Sequence, residues 1–354
     1  MAKILIAGAG GVPSENVIKS LMSTDDSDQI YGMGSEPSDL ILSAAEKKYI
    51  VPYAVHPQYK EKLIRILADA RPDLTHFQND IEILEASKIR NDILATGTKL
   101  FMPSHDVIEK CVDKAKSAAI WATQGIPIPK TIDIESPDDL KRAFDLLANK
   151  DGQIWLRAKV GGGGKGALPT SDYEFARRWI DRFKGWGGFT AAQLLTDKTV
   201  TWLSIWHEGE LVVAQTRKRK SWNFGNRTLS GVTGVTGVGE TYSSSQVDSI
   251  SMDAIRAIDP RPHGIYGVDM TYDDQGIPNP TEINISRFFT TVYFFTKAGL
   301  NMPKIFKDIA LHDRFPSLEK KINPLPDGIL WIRSMDREPL MITEKEMFAS
   351  LINA

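Results

Sequence analysis

The chain has 354 residues, of which 42% are hydrophobic and 25% charged, an ordinary balance for a globular protein. Forty-three basic against 45 acidic residues give a formal net charge of −2, which excludes the strongly basic surface of a dedicated nucleic-acid binder. One cysteine, Cys111, excludes a disulfide framework and a cysteine-rich zinc site, and no apolar run reaches the ~18 residues of a membrane span.

At roughly 150 residues per domain the length predicts two or three domains. Met1 to Ile6 runs straight into a strand with no signal-peptide layout, so a soluble cytoplasmic protein is expected. In the first third, residues 3–7, 29–32, 48–51, 74–77 and 99–102 read as strands. Gly8-Ala9-Gly10-Gly11 turns the chain into a helix after Ser14, and further helices run near 58–70 and 80–96. This alternation predicts a parallel sheet with helices on both faces, closing near Pro103.

One long helix is predicted over 106–124, with Ser104 as N-cap and Gly125 just past its end. Ser136-Pro137-Asp138-Asp139 starts the next, with proline and acids in its first turn. Residues 153–159 read as a strand, followed by a glycine loop and a short strand at 167–169. Ser171-Asp172-Tyr173-Glu174 reads as a capping box. From Ala191 the texture becomes antiparallel. Strands 201–206 and 211–217 flank a turn at His207-Glu208-Gly209-Glu210, and strands 265–272 and 278–285 flank Asp274-Gln275-Gly276. The tail adds a strand at 329–333 and a helix after the Thr343/Glu346 pair.

Three features carry chemistry. The first is Lys159-Val160-Gly161-Gly162-Gly163-Gly164-Lys165-Gly166. Glycines let backbone N–H groups approach an anion, and lysines neutralise phosphate charge. A strand follows Lys165 where a Walker A loop would open a helix, so the pattern predicts a flap over a triphosphate. The plainer alternative is a flexible hairpin turn. The second feature is the hairpin bearing Asp269, Glu282 and Asn284. Pairing Asp273 with Pro278 sets Asp269 beside Glu282, on the face shared with Asn284. Two carboxylates and an amide oxygen are hard ligands suited to Mg²⁺; a solvated hairpin face is the alternative. The third is Arg217-Lys218-Arg219-Lys220, where Arg217 and Arg219 share a strand face and suit a phosphoryl or carboxylate group. A charge run of this kind is also a common solvated face.

Two motifs fail. Gly8-Ala9-Gly10-Gly11-Val12-Pro13 has Pro13 where a dinucleotide fingerprint needs its third glycine. The six histidines never fall at the i, i+4 spacing of a helical zinc site.

In this order the features resemble the ATP-grasp superfamily, in the branch near the carbamoyl-phosphate synthase large subunit. Residues 73–82 are similar to its third-strand signature, and Cys111-Val112-Asp113-Lys114 to the segment that places a basic residue near ATP. Glu282-Ile283-Asn284 is the most specific match. The resemblance implies an α/β fold of the ATP-grasp type. Its parts are a Rossmann-like domain (1–103), a small lobe with the flap (104–190), a large lobe with the metal cluster (191–315) and a C-terminal extension (316–354). It implies ATP and Mg²⁺ (or Mn²⁺) as cofactors, small-molecule carboxylate and amine substrates, and a homodimer. Neither nucleic acid nor membrane is expected as a partner.

The residues carried over for the nucleotide are Lys114, Arg157, Lys159, Gly161, Gly162, Gly163, Gly164, Lys165 and Gly166, with Gln193, Leu194 and Leu195 at the adenine hinge. Asp269, Glu282 and Asn284 are carried over for the metal, and Arg217, Arg219 and Arg287 for the acyl phosphate or the carboxylate. The implied reaction is ATP-dependent carboxylate–amine (or carboxylate–thiol) ligation through an acyl phosphate, releasing ADP. The sequence departs from the family at four places: Leu194 and Thr201 stand where acids are usual, Ser286 stands where the arginine is usual, with Arg287 one residue later, and Asp269 stands where the synthase has a longer amide. Two alternatives remain, a nucleotide-binding protein without turnover and an NAD(P)-dependent oxidoreductase that uses the N-terminal sheet.

Overall fold

The apolar runs at the start of the chain build a parallel sheet. Its strands are β1 (Lys3–Ala7), β2 (Gln29–Gly34), β3 (Lys47–Ile50) and β4 (Leu74–His76). A computed structural model gives these positions and describes residues 1–160, 164, 166–333 and 349–353. Along β1, Leu5 and Ala7 enter one apolar core while Ile4 and Ile6 enter another, as period-2 alternation in a sheet covered on both faces requires.

Three expected elements differ. Residues 99–102 form no strand; Lys99 makes an isolated bridge to Leu74, and the carbonyls of Met102 and Pro103 are given to the Arg90 guanidinium instead. The helix expected over 80–96 breaks at Ile89 into Asp80–Lys88 and Arg90–Leu94. The helix expected over 106–124 breaks at Asp113 into His105–Val112 and Lys114–Thr123. Asp113 ends the first and caps the second, accepting from the N–H groups of Ala115 and Lys116 at 3.0 and 3.2 Å. Ser104 caps the first helix as expected.

The middle of the chain forms a four-stranded antiparallel sheet of β5 (Thr131–Ile134), β6 (Ile154–Ala158), β7 (Leu168–Thr170) and β8 (Phe189–Gln193), in the order β5-β8-β6-β7. β8 runs across residue 190, where the boundary between the two lobes was expected, and ends at Gln193. Helices Pro137–Leu147 and Tyr173–Arg182 close its core. Asp172, not Ser171, caps the second of these, accepting from Phe175 N–H at 2.9 Å.

The third sheet has six antiparallel strands: β9 (Thr199–His207), β10 (Glu210–Trp222), β11 (Thr236–Tyr242), β12 (Gly264–Tyr272), β13 (Pro278–Ile285) and β14 (Leu330–Ile332). Their order is β13-β12-β9-β10-β11-β14. The β12–β13 register is not the simple one. Tyr272, not Asp273, pairs with Pro278, and Met270 pairs with Pro280. A bulge at Thr281 then restores the expected pair, Asp269 with Glu282. The last strand, β15 (Ile352–Asn353), joins the edge of the first sheet beside β3. The helix expected after Thr343 lies outside the described residues. Among the described residues no helix is long and apolar enough to cross a membrane.

Candidate active site

One transverse row of the six-stranded sheet carries the site. Arg217 on β10 stands opposite Thr201 on β9, Thr201 opposite Asp269 on β12, and Asp269 opposite Glu282 on β13. Residues directly across a sheet share a face, so all four side chains project together. Nearer the core the same face turns apolar, with Leu203 and Ile205 fully buried. Gly267 stands opposite Asn284.

Asp269 is fully engaged. Its Oδ1 accepts from the Thr201 hydroxyl, and its Oδ2 accepts from the Asn284 amide at 3.0 Å. Arg219 Nη2 lies 3.6 Å from Oδ1. Thr201 Oγ1 accepts in turn from Arg217 at 2.8 Å and Arg219 at 3.4 Å. Asn284 Oδ1 accepts from Arg287, whose guanidinium also pairs with Asp80 at 3.0 Å. Glu282 meets the Lys114 ammonium at 3.1 Å. Burial works to raise the Glu282 carboxyl, but Lys114, Arg157 and Arg287 outweigh it and bring it down to about 2.

The small lobe reaches this row through Arg157 on β6. Its Nη2 donates to the bulge carbonyl of Thr281 at 3.0 Å, and its Nε is buried without a hydrogen-bond partner among the described residues. The site thus gathers five cations, Lys114, Arg157, Arg217, Arg219 and Arg287, against three carboxylates, Asp80, Asp269 and Glu282. A positive surplus among largely buried side chains suits a polyanion.

No protein-family profile matches the sequence, and no curated protein matches it. Solved structures do match. The L-amino acid ligase from Bacillus licheniformis superposes with a TM-score of 0.64 at 13% identity, covering 88% of this chain and 74% of that one. The N5-carboxyaminoimidazole synthetase from Staphylococcus aureus, complexed with ADP, gives 0.67 at 13% identity, with coverage of 89% and 79%. The biotin carboxylase domain of the Hydrogenobacter thermophilus 2-oxoglutarate carboxylase, in complex with MgADP and bicarbonate, gives 0.68 at 16% identity, with coverage of 93% and 73%. The chain has the ATP-grasp fold.

The ATP-grasp positions predicted from sequence fall into three groups. Asp269, Glu282, Asn284, Arg219, Arg287, Lys114 and Arg157 converge, as described. Lys159, Gln193, Leu194 and Leu195 stand at the small-lobe side. Lys159 pairs with Asp133 at 3.4 Å, and its carbonyl accepts from Lys114 N–H. Gln193 ends β8 and bonds to the Lys130 backbone, and Leu194 and Leu195 follow it out of the sheet. Gly164 and Gly166 take positive φ, and a Cβ on Gly164 would lie 2.6 Å from the Val232 carbonyl oxygen. Gly161, Gly162, Gly163 and Lys165 lie outside the described residues.

Arg217 lies deeper in the protein than the other cations of the site. It is 1% exposed, and its Nη atoms are spent on Thr201, Thr236 and Thr291. Burial, then the neighbouring Arg219, push it well below the ordinary guanidinium value. Arg217 therefore lies beneath the row, and Arg219, its guanidinium carbon 3.8 Å from the centre of the Trp222 ring, is the more exposed of the two. Sequence reading also missed Thr201 as the hydroxyl joining Asp269 to both arginines. Its pairing with Arg217 across the first hairpin was the available signal.

In the N-terminal glycine turn the Gly10 N–H donates to the buried Glu15 side chain at 2.8 Å. Gly10 itself has φ +88°, and a Cβ there would meet the Asp39 carbonyl oxygen at 1.9 Å.

Proposed function

We propose that the chain is an ATP-dependent ligase that joins a small carboxylic acid to an amine or a thiol. The reading rests on one observation: a half-buried Glu282 in a row with Asp269 and Asn284, ringed by Lys114, Arg157, Arg219 and Arg287. In the proposed reaction a substrate carboxylate oxygen attacks the γ-phosphorus of ATP, and the bond to the β,γ-bridging oxygen breaks to release ADP. The amine nitrogen then attacks the acyl carbon, phosphate leaves, and the nitrogen gives up its proton. Arg157 and Lys114 offset the charge of the nucleotide phosphates, while Arg219 and Arg287 face the phosphoryl group in transit.

A divalent ion fits the donor set. Asp269, Glu282 and Asn284 offer hard oxygens and already hold cations, because Lys114 sits on Glu282 and Arg287 on Asn284 Oδ1. Among the described residues no three His, Cys, Asp or Glu gather to hold a metal ion, so this donor set depends on the Asn284 amide oxygen beside the two carboxylates. Mg²⁺ or Mn²⁺ bound here supplies charge neutralisation at the phosphate oxygens.

The second reading, nucleotide binding without turnover, is favoured by Leu194 and by the engagement of Thr201 within the protein, which leave both usual acidic positions without a carboxylate. Two measurements separate the readings. The first is binding of a non-hydrolysable ATP analogue with Mg²⁺, and the second is ADP release during a screen of acids with amines. A ligase releases ADP with a matched pair, and Glu282→Ala abolishes that release. Binding with no ADP from any pair supports the second reading. No binding at all refutes both.

A further inference from the structure

Arg287 reaches the cluster by an unusual path. Ser286, 3% exposed, takes the left-handed conformation at φ +54°, and this turn swings Arg287 back over Asn284. The arginine thus arrives one residue later than the family pattern yet still meets the row. Asn284, on the strand that leads into the turn, accepts from Nη2, and the N-terminal residues supply the two-point partner. Asp80, the first residue of helix Asp80–Lys88, faces Arg287 with both oxygens, Oδ1 toward Nε and Oδ2 toward Nη2 at 3.0 Å. Asn79 caps the same helix, accepting from Ile81 and Glu82 N–H groups, so the Asp80 backbone is itself held. Two residues earlier, the buried Gln78 accepts from Phe288 N–H at 2.7 Å, which pins the turn that carries the arginine.

We propose that Asp80 is a positioning residue, whose paired carboxylate oxygens fix the Arg287 guanidinium and aim its remaining N–H groups at the phosphoryl group in transit. The inference rests on the ligase reading. A guanidinium is a planar fork, and a carboxylate is the partner that fixes both its position and its plane. Arg287 keeps its charge here: burial works against it, and the Asp80 carboxylate more than restores it. A ligand arriving at the row then meets a cation already oriented, with no reorganisation left for the reactive moment.

The test measures ADP release from MgATP, with and without acid and amine, for the wild type, Asp80→Asn, Asp80→Glu, Arg287→Lys and the double variant Asp80→Asn/Arg287→Lys. Binding of the ATP analogue and the thermal midpoint are followed in parallel. Losing one charge-assisted contact in the transition state predicts a kcat lower by about tenfold to a hundredfold in Asp80→Asn. KM for ATP, analogue affinity and midpoint should stay close to wild type. Asp80→Glu should recover most of the loss, and Asp80→Asn should cost nothing further in the Arg287→Lys background. An unchanged kcat in Asp80→Asn, or an equal loss in the Arg287→Lys background, overturns the proposal while leaving an active wild type as support for the ligase reading. Should Asp80→Asn fail to fold, Asp80→Ser takes its place; failure of both makes Asp80 a structural tie and overturns the proposal. A wild type without ADP release sinks the ligase reading first, and this inference with it.

Discussion

Replacing Glu82 by glutamine isolates the cost of one buried carboxylate. Glu82 sits in the first turn of helix Asp80–Lys88, 9% exposed, and accepts from the Tyr59 hydroxyl at 3.0 Å. Burial lifts its carboxyl from 4.5 to about 7, against the smaller downward pull of the Tyr59 bond. The folded value lies above the unfolded one, so between the two the folded chain holds more protons. The penalty is absent below the unfolded value, grows as pH rises, and is complete above about 7. At about 1.36 kcal/mol per unit, the wild type loses roughly 3 kcal/mol by about pH 8. Glutamine still accepts from Tyr59 and never ionises. Glu82→Gln should therefore lie within about 1 kcal/mol of wild type near pH 5 and exceed it by roughly 3 kcal/mol near pH 8, several degrees in thermal midpoint. Near-UV circular dichroism melts at about four pH values between these limits read the difference directly. An offset that does not change with pH, or one that shrinks as pH rises, refutes the reasoning.

Thr201→Val keeps the shape but removes the hydroxyl that serves Asp269, Arg217 and Arg219, and denaturant unfolding should show a loss of about 1–3 kcal/mol that Thr201→Ser does not. An unchanged midpoint for the valine variant would mean the hydroxyl bonds add no net stability. Gly10→Ala should cost far more than Gly97→Ala. Both have positive φ, but only Gly10 would press a Cβ into the Asp39 carbonyl, while Gly97 has open space and should lose about 1–2 kcal/mol. Equal midpoints for the two variants would contradict the packing described.

The fold was largely legible because its signals are local. Alternating apolar strands gave the parallel sheet, and turn residues gave both hairpins. Even the break at Asp113 was written locally: an aspartate that can accept from the N–H groups two and three residues on is an N-cap signal, overridden here by the expectation of one continuous helix. The site was legible where it follows strand parity. Asp269, Glu282 and Asn284 converge, although the route assumed, Asp273 against Pro278, was not the one the chain takes. What stayed hidden was long-range. Asp80 lies 207 residues from Arg287, and no periodicity connects them. The burial of Arg217 was equally invisible, because a basic run on a strand does not say which of its members lies beneath the others.

The bulge at Thr281 makes the site a matter of counting. On the tip side of the hairpin, pairs follow one register; on the site side they are shifted by one residue. Were the tip register to continue, Glu282 would fall opposite Val268, whose side chain is fully buried, and the carboxylate would face the apolar core. A single added residue therefore separates a hairpin with a charge in its core from one with paired acids in a cleft. Its carbonyl then serves as the docking point for Arg157 of the opposing lobe. For a lineage carrying this hairpin, single-residue insertions and deletions here are the sharp events, and point substitutions the gradual ones. The hairpin tip beyond the bulge is free to change in length, whereas the two residues between the bulge and Asn284 are not.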